Sequence, residues 1–477
     1  MPRSVPCCVD APAAEALLRY GLAELLRGLG LAPTWTSRDD ARLVVAADER
    51  GEGEGRLVLP VTAGALADLG TPRQPPVDAL GWTRIDGERW PVPVGPAGES
   101  AALGDLVAGA AWWLAGVQER AVAARDRHGR FPYAASLQAA LAPGPGGPLR
   151  PAVDAYRWRL AHALREAGVD VPGRTWAGAP WAVAITHDLD SLRTRRLRAG
   201  VGALLRGDLA EATRRALGAD RRWATAQSLA DLGRRHEAAA TWFVKPGRWA
   251  PEDLPVDLGG RTPTALGSLV RGGEVGWHPG YGAHDHPARL DAEVSRFRAA
   301  FGHAPALART HFLRWSEPAT PRLLAARGVA LDSTLGFAEH EGFRRGTAHP
   351  FRLYDLDADR PTDLWEMPLA VMDATLTDYR RVDRDEGARA IRAVFDAARQ
   401  SGGVAVVLWH NQMGGSDAAW DTWLDTLDRE LGHARATGAH VGALEVLLRA
   451  WTGVGEEDDV GRTSLAQRSQ GNGRGAL

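Results

Sequence analysis

Short apolar runs alternate with longer amphipathic stretches between about residue 152 and residue 452. Each run is followed by polar residues, which is typical of buried strands in a parallel sheet. Between the third and fourth runs, Leu290, Val294, Phe297 and Phe301 recur at helical spacing. The seven runs are Trp181–Thr186, Ala239–Val244, Glu274–His278, Ala306–Thr310, Ala330–Leu335, Leu364–Met372 and Val404–Trp409. The alternation predicts an α/β fold, a distorted parallel (β/α)7 barrel, with a doubly wound open sheet as the alternative.

The first 150 residues show a different pattern. Strand-like runs at Ala41–Ala47 and Gly55–Val61 lie among helical stretches at Ala13–Leu29 and Leu106–Ala124. The segment Ala142–Pro151 (APGPGGPLRP) is rich in helix and strand breakers and is predicted to be a linker. We therefore expect a smaller α/β domain in residues 1–150, ahead of the barrel.

The predicted barrel domain covers residues 151–454. The polar, Gly/Ser-rich tail, residues 455–477, is predicted to be disordered. The chain has 477 residues, of which 45% are hydrophobic, so it is long enough for two or three domains.

The charge balance gives a net charge of −2, which demands neither a nucleic acid nor an anionic membrane as partner. The only two cysteines, Cys7 and Cys8, are adjacent and cannot form a disulfide framework. The first residues lack the apolar run of a secretory signal, and Val107–Val117 is too short to span a membrane. We expect a cytoplasmic protein with no transmembrane segment.

The arginine-rich stretch Arg193–Arg222 is predicted to be a solvated insertion, with peripheral membrane contact as the functional alternative.

Polar side chains gather where the predicted strands end. Because carboxyl ends of parallel strands meet at one edge of the fold, these side chains should lie close together. Two carboxylates side by side can divide the work of binding a cation and accepting a proton. Carboxylate and imidazole groups suit zinc and similar divalent ions. The residues concerned are Asp188, Asp190, His278, Arg309, His311, Glu366 and His410.

Several motifs resemble those of the NodB-type polysaccharide deacetylases, in the order that this family has. The matching motifs are THDLD at Thr186–Asp190, ATWFV from Ala240, EVGWH at Glu274–His278, RTH from Arg309 and LWHN from Leu408. The segments GWHPGY, RTHFLRW and RDRHGRFPYAASL resemble a bacterial subgroup of this family with an extra N-terminal domain. The resemblance implies a barrel hydrolase that removes acetyl groups from amino sugars, so an acetylated carbohydrate is the expected substrate.

The resemblance also implies roles for individual residues. Asp188 would be the general base, Arg309 would keep it ionised, and His410 would be the general acid. Asp190 and His278 would bind a divalent metal ion, with zinc as the first choice.

One position departs from the family pattern, because Gly282 stands where the second metal-binding histidine is usual. His311, His284, His286 or Tyr281 could complete the site, and a weak or lost metal site is the other alternative. We expect His311 to be the third ligand, because it follows a predicted strand at the same edge. The residues expected to contact substrate are Tyr281, Arg314, Trp315 and Glu366.

Two other functions stay open on the sequence. One is hydrolysis of another non-peptide carbon–nitrogen bond on the same fold, which need not use a metal. The other is a glycan-binding protein that has lost catalysis.

Overall fold

The computed structural model describes most of the chain. The described residues are 3–47, 56–99, 103–192, 222–253, 256, 258–411 and 417–453. The predicted disordered tail lies outside them, as does the arginine-rich stretch apart from Arg222.

The N-terminal region contains two small sheets. Strands β1 to β4 form a parallel sheet in the order β2-β1-β3-β4, and β5 to β7 form a three-stranded sheet. The strands are β1 Arg3–Asp10, β2 Leu31–Trp35, β3 Leu43–Ala46, β4 Leu57–Pro60, β5 Gly81–Ile85, β6 Glu88–Val92 and β7 Gly98–Glu99. The helices are α1 Glu15–Gly28, α2 Ala63–Gly70, α3 Leu106–Leu114, α4 Val117–Ala121, α5 Leu137–Leu141 and α6 Ala152–Glu166. The predicted strands and first helix of this region are confirmed.

The single helix predicted for Leu106–Ala124 is divided into α3 and α4. Gly116, between them, has a φ of +73°, which glycine adopts at little cost. A Cβ at this position would also collide with the Arg345 guanidinium, at 1.6 Å from Nη1. The positive φ of Gly116 therefore separates the two helices, and its missing side chain leaves room for Arg345.

The second region forms one ten-stranded sheet. Its strands are β8 Trp181–Leu189, β9 Thr241–Val244, β10 Glu274–Trp277, β11 Leu307–Ala308, β12 Leu331–Asp332, β13 Phe351–Asp355, β14 Arg360–Glu366, β15 Leu369–Met372, β16 Val404–Leu408 and β17 Ala439–Gly442. Its helices are α7 Arg222–Arg235, α8 Thr262–Leu269, α9 Pro287–Phe301, α10 Ala319–Ala325, α11 Arg384–Ser401, α12 Asp417–Ala436 and α13 Leu444–Thr452. Each of the seven predicted apolar runs overlaps a strand, and the sixth overlaps two, β14 and β15.

The strand order is β13-β14-β12-β11-β10-β9-β8-β16-β15, and β17 also pairs with β8. The β13–β14 pair is antiparallel, and the other pairs described in this sheet are parallel. The strands β14 and β15 lie far apart in this order, yet only Met367 and Pro368 separate them in the chain. The sheet is therefore curled, which confirms an α/β fold with a mostly parallel sheet.

Local sequence explains the helix ends that frame the sheet. The Asp383 side chain accepts a hydrogen bond from the Glu386 backbone N–H at 2.8 Å and begins α11. The helix ends at Gly402, which has a φ of +66°. Similarly, α9 has Pro287 in its first turn and ends at Gly302 with a φ of +79°.

One hydrophobic core extends from the N-terminal region into the sheet region. It includes Leu26 and Trp113 from the first region and Leu335, Leu353 and Leu364 from the second. The helix α6, just beyond the predicted boundary at residue 150, packs against α1 and α3. Among the described residues, no helix combines the length and apolar character needed to cross a membrane.

Candidate active site

The carboxyl ends of the parallel strands carry most of the polar residues named from the sequence. Around them lies a pocket of about 300 Å³, with an apolar wall that includes Phe312, Leu313, Met372 and Leu408. The ionisable residues that line it are Arg130, Asp188, Asp190, His278, His311, Asp373, Asp378, Tyr379 and His410.

Three of these side chains converge as a metal site would require. The ligand atoms offered by Asp190, His278 and His311 all lie within 4.8 Å of one another. Asp190 Oδ1 is 3.5 Å from His278 Nε2 and 3.2 Å from His311 Nε2. The structure thus brings together the three residues that the sequence proposed as ligands.

Hydrogen bonds orient both histidines towards Asp190. The Nδ1 of His278 donates to the Arg309 carbonyl at 2.6 Å, while its buried Nε2 has no hydrogen-bond partner among the described residues. The Nδ1 of His311 is 3.1 Å from Asp253 Oδ1. Burial lowers the pKa of His278, which favours the neutral ring. Two Nε2 lone pairs and one carboxylate oxygen therefore fit a zinc-like ion, each histidine being held through its other nitrogen.

Gly282 has little room for the histidine that the family pattern would place there. A Cβ on it would lie 2.8 Å from Arg289 Nη1 and 3.2 Å from the Cβ of Trp249. The alternative His284 has its Nε2 3.4 Å from the Ser316 hydroxyl instead. Among the candidates for the third position, His311 is the one found beside Asp190.

A buried ion pair holds the candidate base. The Nη1 of Arg309 donates to Asp188 Oδ1 at 3.2 Å and to the Thr186 hydroxyl at 2.7 Å. Two more Arg309 donors bind the carbonyl and hydroxyl oxygens of Ser333, at 2.8 and 2.9 Å. Burial lowers the pKa of Arg309, and the Asp188 charge opposes that shift. Asp188 therefore has a fixed orientation and a permanent positive neighbour.

The candidate acid faces Asp188 across the pocket. The Nε2 of His410 lies 4.0 Å from Asp188 Oδ2, and its Nδ1 lies 2.6 Å from Asp373 Oδ1. Burial opposes the positive charge on His410, but the charge and hydrogen bond of Asp373 outweigh it and raise the pKa of His410 to about 10. At neutral pH the ring is therefore protonated and can donate a proton. Asp373 directly follows the sixth apolar run, and the sequence alone gave it no role.

Sequence reasoning missed Lys245, which directly follows β9. Its side chain is buried, with Nζ 3.3 Å from Asp190 Oδ1 and 3.0 Å from His311 Nε2. Burial alone would raise the pKa of Asp190. Lys245 and His311 outweigh this effect and hold that pKa well below its usual range. Its position directly after a predicted strand could have identified it, because the other site residues were identified from the same kind of position.

Two residues expected to contact substrate are buried elsewhere. Glu366 is 0% exposed, and its Oε1 accepts from the Leu335 N–H at 2.9 Å. Burial, with Asp332 as neighbour, raises the pKa of Glu366 well above its usual value. Trp315 is 5% exposed, with its indole N–H bound to Glu317. Neither residue is among those that line the pocket, and their contact with substrate stays a prediction.

Tyr281 and Arg314 lie beside the pocket rather than among its lining residues. Arg314 donates to the Tyr281 carbonyl at 2.5 Å and to the His128 carbonyl at 2.9 Å. The Tyr281 hydroxyl is 3.2 Å from His128 Nδ1. Both residues thus bind the segment that precedes the sheet region, and their contact with substrate stays a prediction.

The same segment contributes Arg130 to the pocket wall. Arg130 donates to Asp126 at 2.7 Å, to the Phe312 carbonyl at 3.1 Å and to the Tyr379 hydroxyl at 3.1 Å. Phe312 has a φ of +60°, a strained conformation for a residue with a side chain. Arg130 therefore supports the loop that carries His311, a role that the sequence did not reveal.

No family model matches this chain, and no curated protein matches it. Solved structures similar to it include a candidate polysaccharide deacetylase from Mycobacterium smegmatis, with 20% identity, coverage of 58% of this chain and 96% of that chain, and a TM-score of 0.36. A family 4 carbohydrate esterase from Streptomyces lividans has 15% identity, coverage of 56% and 95%, and a TM-score of 0.30. A CE4 family pseudoenzyme from Bacillus anthracis has 15% identity, coverage of 47% and 60%, and a TM-score of 0.28. These similarities are low, so a function for this chain has to follow from its own site.

Proposed function

We propose that this chain is a metal-dependent hydrolase that removes N-acetyl groups from a carbohydrate, on a distorted (β/α)7 barrel spanning residues 151–454. The observation that carries the proposal is the placement of a base and an acid on opposite sides of one pocket, beside a three-residue cation site. Asp188 Oδ2 lies 4.0 Å from His410 Nε2 and 3.7 Å from His278 Nε2. A glycan-binding site would need neither group at these positions.

The cation site would be formed by Asp190, His278 and His311. A divalent ion held there would supply Lewis acidity and make a nearby water more acidic. Asp253 and the Arg309 carbonyl hold the two imidazole rings in the orientation that this requires.

Asp188 would accept the proton of the attacking water. Its ion pair with Arg309 fixes the orientation of this carboxylate, which a general base requires. The water oxygen then bonds to the acetyl carbon and gives a tetrahedral intermediate.

His410 would complete the reaction by donating a proton to the amine nitrogen. An amide anion is a very poor leaving group, so the carbon–nitrogen bond breaks only as that nitrogen is protonated. Asp373 keeps His410 protonated and fixes its Nε2 towards Asp188. One water is consumed, and acetate and a free amine are released.

An acetylated amino sugar is the substrate class implied by the motif resemblance. An N-terminal α/β region of residues 1–150, which shares its core with the sheet region, and the cytoplasmic location belong to the same proposal. Lys245 favours a second candidate, a metal-independent hydrolase of another non-peptide carbon–nitrogen bond, because its ammonium already brings a positive charge to Asp190.

The test combines metal analysis with acetate release from N-acetylglucosamine oligomers. We expect about one divalent ion per chain, activity that chelation abolishes, and recovery on adding zinc. Asp188→Asn should lower kcat by about 10²–10⁴-fold and keep the metal, because it removes only the base. Asp190→Ala should lose the metal, and Asp363→Asn, a change to an exposed carboxylate, should alter neither. Full activity in Asp188→Asn would contradict the mechanism.

A further inference from the structure

Lys245 is the only lysine in the chain, although Lys and Arg together number 57. Every other basic position of these two types is an arginine. The two side chains differ physically, because arginine carries a planar, delocalised fork and lysine a compact ammonium on a flexible stem. The one lysine lies in the candidate active site, so we looked to its contacts there for its role.

The backbone and burial of Lys245 fix where its charge lies. Its carbonyl accepts the Val256 N–H at 3.0 Å just beyond the end of β9, and its side chain is 0% exposed. The Nζ is 3.3 Å from Asp190 Oδ1 and 3.0 Å from His311 Nε2. These are the same two atoms that would bind a divalent ion.

The contact of Lys245 with Asp190 and His311 changes the charge of the candidate metal site. Three carboxylates, Asp188, Asp190 and Asp253, lie around two basic side chains, Arg309 and Lys245. The ammonium already balances part of the negative charge that would attract a metal. Adding a divalent ion places two cations on one carboxylate, and like charges a few ångströms apart in a buried site repel strongly.

We propose that Lys245 is a resident cation that competes with the divalent ion for Asp190 and His311, so that metal binds only as the ammonium moves away from them. The proposal rests on the metal site of the proposed function. It predicts a site that binds metal more weakly than its three ligands would without the lysine.

The test measures zinc affinity by competition with a chromophoric chelator in wild type, Lys245→Met and Lys245→Arg. Methionine keeps the length of the side chain and removes the charge, so zinc should bind at least about tenfold more tightly. Arginine keeps the charge, so zinc affinity should stay at or below that of wild type. Melting temperatures with and without zinc should show the same order, and circular dichroism checks that each variant is folded.

The outcomes separate this inference from the proposed function. Equal zinc affinity in wild type and Lys245→Met overturns the inference and leaves the metal-dependent function intact. Absence of zinc binding in both overturns the inference together with the metal requirement. Zinc binding by Lys245→Met but not by wild type would support the inference, because it would mean that the lysine prevents zinc from binding.

A crystal structure of the zinc-loaded wild type decides the case even if Lys245→Met does not fold. The expected result is an Nζ that has left hydrogen-bonding distance of His311 Nε2. Zinc bound with the Nζ still about 3 Å from that atom would overturn the proposal.

Discussion

At the scale of single residues, the charge of His410 is set by its neighbour. With Asp373 in place, the pKa of His410 lies near 10 instead of 6.5. The stabilisation from this pair is therefore fully present below about pH 6.5 and is lost as the pH rises through about 10. A protonated His410 should likewise keep the enzyme active well into the alkaline range.

Asp373→Asn removes the charge that raises this pKa. The alkaline limb of the pH dependence of kcat should then move to lower pH, towards the ordinary histidine value, because burial then disfavours the imidazolium. Measuring kcat between pH 5 and about pH 10 tests this. Asp378→Asn, which changes a carboxylate in the same pocket wall, is the control and should leave the limb in place. An unchanged limb in Asp373→Asn would show that another group controls it.

The sequence positions of Asp188, Asp190, His278, Arg309 and His410, at or just after strand ends, predicted that these residues lie close together, and they do. Their roles stay a prediction. The common edge of a parallel sheet explains this proximity, because it brings distant parts of the sequence together.

Position alone cannot tell which face of a strand a side chain occupies. Successive side chains point to opposite sides, so Glu366 at the end of β14 faces the interior while Asp373 after β15 faces the pocket. Lys245 was missed for a different reason, since a lone lysine after a strand does not match a metal-ligand pattern.

At the scale of elements, the segment before the sheet region reaches into the pocket through Arg130. Arg130→Met would remove the side-chain donor from the Phe312 carbonyl, from Asp126 Oδ2 and from the Tyr379 hydroxyl. We expect the free energy of unfolding to fall by about 1–3 kcal/mol, because buried acceptors lose their partner. We also expect KM to rise several-fold, because the pocket wall loosens.

Urea denaturation and steady-state kinetics measure the two effects separately. Arg127→Met, three residues before Arg130 at an exposed position, is the matched control. A loss of stability with an unchanged KM would mean that Arg130 supports the fold and does not shape the pocket.

The elements themselves were largely predictable where buried apolar runs were long enough. The strand β8, whose nine residues are all buried, is such a case. The strand β17 was missed because its four residues include the polar His440 and only two of them are buried. The strand β13 was missed because it pairs in an antiparallel hairpin with β14, outside the strand–helix alternation.

At the scale of the whole molecule, a buried group of charges joins the N-terminal region to the sheet region. Glu119 on α4 binds Arg344 through two hydrogen bonds, of 2.9 and 2.5 Å, and Arg345 at 3.3 Å. Arg345 also binds Glu317. Burial alone would raise the pKa of Glu119, but the two arginines outweigh it and lower that pKa. The stabilisation from ionised Glu119 is therefore present above the ordinary glutamate pKa of 4.5 and is lost as the pH falls through the lowered pKa of Glu119.

Glu119→Ala should destabilise the entire chain, because it leaves Arg344 buried without its carboxylate partner and leaves Arg345 with Glu317 alone. Breaking a buried ion pair in this way costs about 3–5 kcal/mol. Because one hydrophobic core runs through both regions, we expect a single unfolding transition that shifts as a unit, followed by circular dichroism in urea. A chain that begins at residue 151 should fail to fold for the same reason.

Arg120→Ala is the matched control, since its exposed ion pair with Asp357 spans the same junction at 2.8 Å and should contribute at most about 1 kcal/mol. Two separate transitions, or equal losses in the two variants, would show that the regions are stable independently and that the buried charges do not join them.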